Sequence, residues 1–191
     1  MNKLAAVCTL SGILLAGVTT VQADDAGYGI NIYARLEPVK SGCTVLMSKY
    51  VLNLHHDDKS LPVQGSPINS SRADEKVYIQ LGGEHCDAEE GYNKIGLKFL
   101  GTADQVEANT LANVDTGSDG AAGTGVQLSD MFNNIIKPNV TIARFPSASE
   151  TGQSTTQTAS FPLYLSLVQL KGQETTPGNV QTNLTVQIER L

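Results

Sequence analysis

The chain has 191 residues, of which 40% are hydrophobic, and a formal net charge of −6 at pH 7. This length and composition fit one ordinary domain with a sizeable core. The acidic balance argues against a nucleic-acid partner, for which a basic patch is expected.

The N-terminal segment has the pattern of a secretory signal peptide. Lys3 precedes an apolar run, and Val21-Gln22-Ala23 supplies the small-x-small pattern that a signal peptidase requires. The run is too short and too weakly hydrophobic for a comfortable membrane span. We therefore expect residues 1–23 to be removed on export to the periplasm.

The remainder reads as short strands separated by turns, which is typical of a β-sandwich. Alternating or apolar runs occur at "GINIYARLE", "CTVLM", "YVLNLH", "KVYIQLGGEHC", "NKIGLKFLG" and "FPLYLSLVQL". A last strand is expected from Val180 to the final residue. Its alternation places Val180, Leu184, Val186 and Ile188 on one buried face. Chain ends usually fray unless something holds them, so this strand needs a partner.

Residues 128–137 allow two interpretations. Apolar residues recur at helical spacing from Leu128 to Ile136, with Asp130 as a possible cap and Pro138 as a stop. The alternative is a hairpin that turns at Asn133-Asn134, because Asn tolerates a positive φ. The local pattern favours neither.

Two cysteines follow the signal peptide, Cys43 and Cys86. In an exported protein, two cysteines favour one disulfide. A link of this span would stabilise the fold by roughly 4 kcal/mol on chain-entropy grounds. A metal or redox role is disfavoured because the chain has no Cys-x-x-Cys pair.

The sequence carries little that suggests catalysis. His55-His56-Asp57-Asp58 is the one cluster that resembles a metal site, but adjacent ligands on a strand point to opposite faces, so a polar loop is the better interpretation. Asp115, Asp119 and Asp130 lie near glycines and are best explained by turn chemistry. No nucleophile, zinc or phosphate-loop motif is present. We predict no enzyme, no metal and no cofactor.

The order of several weak motifs resembles that of a chaperone–usher fimbrial pilin subunit. Cys43 opens "CTV", Cys86 ends a strand, and "IGLKFLGTAD" is similar to the family's strand ending in Phe-x-Gly. "NTLANVDTGSDGAAGTGVQLSD" resembles the family's small-residue run, and Gly178 lies fourteen positions from the end. The resemblance covers nearly the whole mature chain, and the lack of a close match to a repeating rod subunit favours a minor subunit.

The resemblance implies an all-β, incomplete immunoglobulin-like sandwich that lacks its last strand. Residues 24–40 would be a donor-strand extension and residues 41–191 the pilin domain. The donor side chains would be Tyr28, Ile30, Ile32, Ala34 and Leu36. The acceptor groove and C-terminal strand would comprise Gly178, Val180, Leu184, Val186, Ile188, Arg190 and Leu191, the last with its carboxylate held by basic chaperone residues.

Such subunits assemble by β-strand addition. The resemblance implies that a periplasmic chaperone lends a strand first, and that the extension of the next subunit replaces it at an outer-membrane usher. The partners would be neighbouring pilin subunits, chaperone and usher, with a host receptor reached only indirectly, and the final location would be a cell-surface fimbrium.

Alternatives remain at this stage. The extension also fits an ordinary first strand of the chain's own sandwich, and the acceptor row also fits simple core packing. Ala34 stands where the family usually has Gly, and Arg190 where it usually has Tyr. Besides a structural subunit, the sequence allows an adhesive subunit that recognises a host glycan or protein, and a secreted enzyme with a metal at residues 55–58.

Overall fold

The computed structural model describes residues 44–50, 54, 61–82, 95–145 and 160–191. Within these ranges lie one 3₁₀ turn, Ser70–Arg72, and nine β-strands. The strands are β1 (Thr44–Met47), β2 (Glu75–Gly82), β3 (Ile95–Leu100), β4 (Leu111–Ala112), β5 (Thr124–Ser129), β6 (Ile135–Ile136), β7 (Ile142–Phe145), β8 (Ser160–Gln169) and β9 (Thr185–Arg190). In this part of the chain, no helix has the length and apolarity needed to cross a membrane.

The strands form two sheets. The larger has the order β1-β2-β8-β5-β4, with β6 also paired to β5, and the smaller has the order β7-β3-β9. Every pairing between these strands is antiparallel. Two packed antiparallel sheets confirm the expected immunoglobulin-like β-sandwich. The expected donor-strand extension lies outside the described residues.

The core lies between the sheets, where strand alternation places it. In β2, Val77 and Ile79 are fully buried while Tyr78 between them is exposed. Phe99 of the smaller sheet meets Phe161 of the larger one, with ring centroids 5.8 Å apart and the rings tilted by 40°. A tilted aromatic pair adds a directional contact to the area that it buries, so these two residues join the two sheets.

The central strands β5 and β8 are buried on both faces, and β8 accordingly has an almost continuous apolar sequence. One of the buried polar residues of β5, Gln127, has hydrogen-bond partners in the segment before β2. Gly65 donates its N–H to Gln127 Oε1 at 2.9 Å, and Gln127 Nε2 donates to the Ser66 carbonyl at 2.9 Å. The N–H of Leu167 likewise donates to Asp74 Oδ2 at 2.7 Å. Side chains and loop backbone therefore complete the bonding of the central strands.

Residues 128–137 form a hairpin, so the second of the two sequence interpretations is correct. Leu128 pairs with Ile136 across β5 and β6. Asn133 has φ +66°, a conformation that Asn tolerates. Asp130 Oδ1 accepts the backbone N–H groups of Phe132 and Asn134 at 2.8 and 2.9 Å. These two hydrogen bonds to Asp130 stabilise the turn, so the segment forms a hairpin and not a helix.

The loop between β3 and β4 is built around one buried carboxylate. Asp104 is 3% exposed. Its Oδ1 accepts the N–H groups of Val106 and Glu107 at 2.8 and 2.9 Å. Its Oδ2 accepts those of Asn109 and Thr110 at 3.1 and 3.0 Å. The carboxylate thus replaces the backbone partners that a strand would have provided.

These bonds favour the ionised form of Asp104. Burial by itself raises the pKa of this carboxyl, but hydrogen bonds from Gln64 and from the N–H groups of Glu107, Thr110 and Val106 outweigh it. The pKa of Asp104 is therefore held well below its usual range. A carboxyl whose pKa is lower in the folded than in the unfolded state stabilises the fold at neutral pH.

We expect Asp104→Asn to lower the free energy of unfolding at pH 7 by about 1–3 kcal/mol, because the amide leaves buried N–H groups without a charged acceptor. The stabilisation by Asp104 is complete above its unfolded pKa of about 3.9 and is lost as pH falls towards the folded value. The gap between wild type and variant should therefore shrink below about pH 4 in urea unfolding.

Asp115→Asn is the matched control, because within the described residues Asp115 Oδ1 accepts one hydrogen bond, from the Gly117 N–H at an exposed turn (2.8 Å). Asn serves such turns equally well, so we expect its urea midpoint to stay at the wild-type value. Equal midpoints for wild type and Asp104→Asn at pH 7 would contradict this account of the loop.

Candidate functional site

The strand β9 lies at the edge of the smaller sheet. It pairs with β3 from Ile95↔Arg190 to Leu100↔Thr185. In the described part of the chain, no strand pairs with its other side. An edge of this kind presents a row of backbone donors and acceptors that another strand can use. This free edge is the candidate functional site.

The regular strand is shorter than the sequence suggested. The alternation predicted a strand from Val180, whereas β9 begins at Thr185. The preceding residues bond to loops instead. Asn179 exchanges bonds with the Asp119–Ala121 loop, donating to the Asp119 carbonyl at 2.6 Å and accepting from the Ala121 N–H at 2.8 Å.

Gln181 continues this pattern two residues later. Its N–H donates to Asn113 Oδ1 at 2.8 Å, and its carbonyl accepts the Val114 N–H at 2.8 Å. Successive residues of an extended chain direct their backbone groups to opposite sides. The N–H and C=O groups of Val180 and Thr182 therefore point away from these loops.

The same parity holds along β9. Asn139 donates its N–H to the Phe99 carbonyl at 2.7 Å, on the side of β3 that faces β7. The odd-numbered residues of β3 therefore bond towards β7 and the even-numbered ones towards β9. The β9 residues that pair with the even-numbered residues of β3 are Thr185, Gln187 and Glu189. Their even-numbered neighbours consequently direct their backbone groups to the free edge.

The free edge is therefore continuous from Val180 to Arg190, although regular strand geometry covers only its second half. The side chains of the even-numbered residues point into the core, and none is more than 5% exposed up to Ile188. This inward row consists of Val180, Thr182, Leu184, Val186 and Ile188. Each of its residues thus has its side chain in the core and its backbone groups at the edge.

The row confirms the burial expected for four residues and adds a fifth. Thr182 did not appear among the sequence candidates, because a polar residue interrupts an apolar alternation. The period of two was the signal that could have identified its position, midway between Val180 and Leu184. Thr182 is fully buried, and its Oγ1 has no hydrogen-bond partner among the described residues.

The strand β1 borders the free edge from the other sheet. Cα atoms of β1 and β9 approach within 8 Å. Val45 and Met47 of β1 are buried, at 4% and 7% exposure. The free edge consequently runs along the side of the sandwich where the two sheets meet.

Gly178 lies before the free edge, seven residues before the start of β9. Its φ is +155°, and a Cβ at this position would lie 2.6 Å from both the Ala121 nitrogen and the Asp119 carbonyl oxygen. Only glycine permits this backbone conformation and this close approach. Gly178 therefore sets the entry of the chain into the free edge rather than starting a strand.

The two last candidate residues lie at the other end. Arg190 ends β9 opposite Ile95. The Leu191 side chain, 51% exposed, lies over Gly96 beside Ile142. Leu191 thus occupies the outer face of the smaller sheet, where the missing side chain of Gly96 leaves room for it.

The other sequence candidates fall outside the described residues. These are the donor side chains at residues 28–36, Cys43, Cys86, and the histidine cluster at residues 55–58. Among the residues with described structure, no three His, Cys, Asp or Glu side chains are grouped to hold a metal ion. The turn role expected of Asp115 and Asp130 is confirmed by their bonds to backbone N–H groups.

Comparison with known proteins gives one finding on the family. A family model described as "Fimbrial protein" matches residues 62–189, which is more than half of the chain. No curated protein matches the chain. The matched range includes β2 to β8, the loops that bond to Asn179 and Gln181, and nearly all of the free edge.

We expect Gly178→Ala to lower the free energy of unfolding by about 2–4 kcal/mol, from backbone strain and overlap with the Asp119–Ala121 loop. Gly172→Ala is the matched control, since Gly172 also has a positive φ (+72°) but nothing within 4 Å of an added Cβ. Its cost should be only about 1–2 kcal/mol. Urea unfolding of the two variants checks this, and equal losses would contradict the role assigned to Gly178.

Proposed function

The chain belongs to the fimbrial protein family, and from this we propose that it assembles into the fimbrium by accepting one β-strand and donating another. Members of this family are structural, non-enzymatic subunits of surface fimbriae that contact other pilin subunits. The observation that carries the proposal is the free edge, where no described strand pairs with backbone groups that lie directly beside core side chains.

The free edge fits a strand acceptor on physical grounds. An added strand would give partners to the backbone groups from Val180 to Ile188, and its side chains would extend the core beside the inward row. Left open, a long edge beside a core invites uncontrolled pairing with other chains. A protein with this edge therefore requires an occupant.

The N-terminal extension provides a matching donor. Its five inward-facing positions run from Tyr28 to Leu36, the same length as the inward row from Val180 to Ile188. The nine described strands pair with one another in antiparallel fashion, and an antiparallel donor would place Tyr28 opposite Ile188. Each large aliphatic side chain buried in this way contributes roughly 1.5–3 kcal/mol.

Assembly requires that the edge is covered before a neighbour arrives. We propose that a periplasmic chaperone lends a strand after the signal peptide of residues 1–23 is removed, and that the N-terminal extension of the next subunit replaces this strand at an outer-membrane usher. Residues 24–40 of this chain would serve in turn as the donor strand for another subunit. Residues 41–191 would then form the pilin domain. This sequence of events keeps the free edge occupied throughout, which is what its aggregation hazard demands.

The proposal includes a disulfide between Cys43 and Cys86. Cys43 immediately precedes β1, and Cys86 follows the end of β2 by four residues. The register pairs Thr44 with Gly82, and Thr44 Oγ1 donates to the Gly82 carbonyl at 3.0 Å. The start of β1 and the end of β2 are thus adjacent, which supports a link between the segments that continue from them.

We expect the double substitution Cys43→Ser, Cys86→Ser to lower the free energy of unfolding by about 2–4 kcal/mol, because the unfolded chain gains freedom. Reductant should destabilise wild type to the same extent and leave the variant unchanged in urea unfolding. Alkylation of both thiols in the unreduced, unfolded protein, detected by mass spectrometry, would exclude the disulfide.

The donor proposal predicts that Ile32→Asp excludes the subunit from fimbriae, since a charge would have to be buried beside the neighbour's core. Tyr33→Asp is the matched control, because Tyr33 lies on the opposite face of the donor strand. The measurement is the amount of each variant in fibres sheared from the cell surface, relative to the amount in the periplasm. Normal incorporation of Ile32→Asp would sink the donor role.

A further inference from the structure

Thr182 is the one polar residue in the inward row of the free edge. It is fully buried, and its Oγ1 has no hydrogen-bond partner within the described ranges. Its neighbours in the row, Val180 and Leu184, are apolar and equally buried. A buried hydroxyl without a partner is costly, so an apolar residue would serve packing better than threonine here.

The position of Thr182 separates it from the other unpaired hydroxyl in the described structure. Thr124 Oγ1 is also buried without a partner, but Thr124 lies in β5, a central strand with neighbours on both sides. The backbone of Thr182 faces the free edge, as the bonding of Gln181 establishes. Of the two hydroxyls, only that of Thr182 lies in a residue that an added strand reaches.

An added strand would place one side chain directly beside Thr182. Directly opposite residues of an antiparallel pair have Cβ atoms about 4.5–5.5 Å apart, and hydroxyl pairs at this separation form stabilising hydrogen bonds. A serine or threonine opposite Thr182 therefore satisfies its hydroxyl, whereas an apolar side chain leaves it unpaired.

We propose that Thr182 is a specificity-determining residue that selects strands with a serine or threonine opposite it. This inference rests on the proposed function, since it requires strand addition at the free edge. The free edge then has one polar subsite between Val180 and Leu184, while the remaining subsites take apolar side chains.

The chain's own extension does not supply that hydroxyl. When its five inward positions are matched in antiparallel order to the five of the inward row, Ala34 stands opposite Thr182. A shift by two residues would leave one apolar donor side chain outside the row. The methyl group of Ala34 fits beside threonine but forms no hydrogen bond. The preferred occupant is therefore the strand of a different subunit, one with a hydroxyl at this position.

The test is a competition between two synthetic peptides of residues 24–40, one with the natural sequence and one with Ala34→Ser. The full chain carries Ile32→Asp to prevent donation by its own extension. It is refolded with both peptides at the same concentration, each in excess over the protein. Mass spectrometry gives the ratio of the two peptides bound. We expect the Ala34→Ser peptide to be captured about five- to tenfold more often, from the added hydroxyl pair.

Two variants of the acceptor make the ratio specific to the hydroxyl. Thr182→Val keeps the shape and removes the hydroxyl, so the preference should vanish or reverse. Thr182→Ser keeps the hydroxyl and should retain the preference. Because the readout is a ratio within each sample, a lower folding yield of a variant does not alter it.

The possible outcomes separate the role proposed for Thr182 from the proposed strand addition at the free edge. If the acceptor with the natural Thr182 bound the two peptides in equal amounts, the proposed role of Thr182 would be wrong, while strand addition at the free edge would still stand. A preference that persists in Thr182→Val would overturn it as well. Capture of neither peptide would instead contradict strand addition at the free edge.

Discussion

The structure depends on backbone hydrogen bonding that is satisfied on one side of the C-terminal segment. Asn179 and Gln181 bond to loops, and Thr185, Gln187 and Glu189 face β3. The even-numbered residues have their side chains in the core and their backbone groups at the edge. A rotation of this segment that turned the edge backbone groups inward would also remove the side chains from the core, because both belong to the same residues.

The rest of the sandwich holds this segment in place. The Asp104 carboxylate shapes the loop that leads from β3 into β4, and the residues after β4 provide the bonds to Gln181. The Asp119–Ala121 loop and Gly178 fit each other closely enough to exclude a methyl group. Gln127 and the residues around Gly65 complete the central strands. Polar side chains therefore supply many of the backbone hydrogen bonds that longer strands would otherwise provide.

Sequence alternation was sufficient to predict β2, β3 and β8, because each carries apolar residues at a period of two or in a continuous run. It did not decide the hairpin at residues 128–137, since that segment satisfies the helical spacing as well. The loop around Asp104 was beyond prediction, because its bonds depend on residues brought together by folding. The start of β9 was misplaced for a related reason: alternation reports burial, and Asn179 and Gln181 alternate correctly while bonding to loops. Thr182 was missed because the same pattern gives weight only to apolar residues. The donor side chains and the disulfide stay predictions.

The coincidence of core side chains and edge backbone on the same residues also bears on how long an assembled fibre lasts. A strand held only by edge bonds frays from its ends and leaves stepwise. In the proposed assembly, an added strand would also pack its side chains beside Val186 and Ile188, so its release would break core contacts together with the edge bonds. The lifetime of the proposed junction would then be set by the rate at which these contacts open rather than by a binding equilibrium. A fibre of these subunits would therefore persist after dilution, when no free subunits remain in solution to replace any that dissociate.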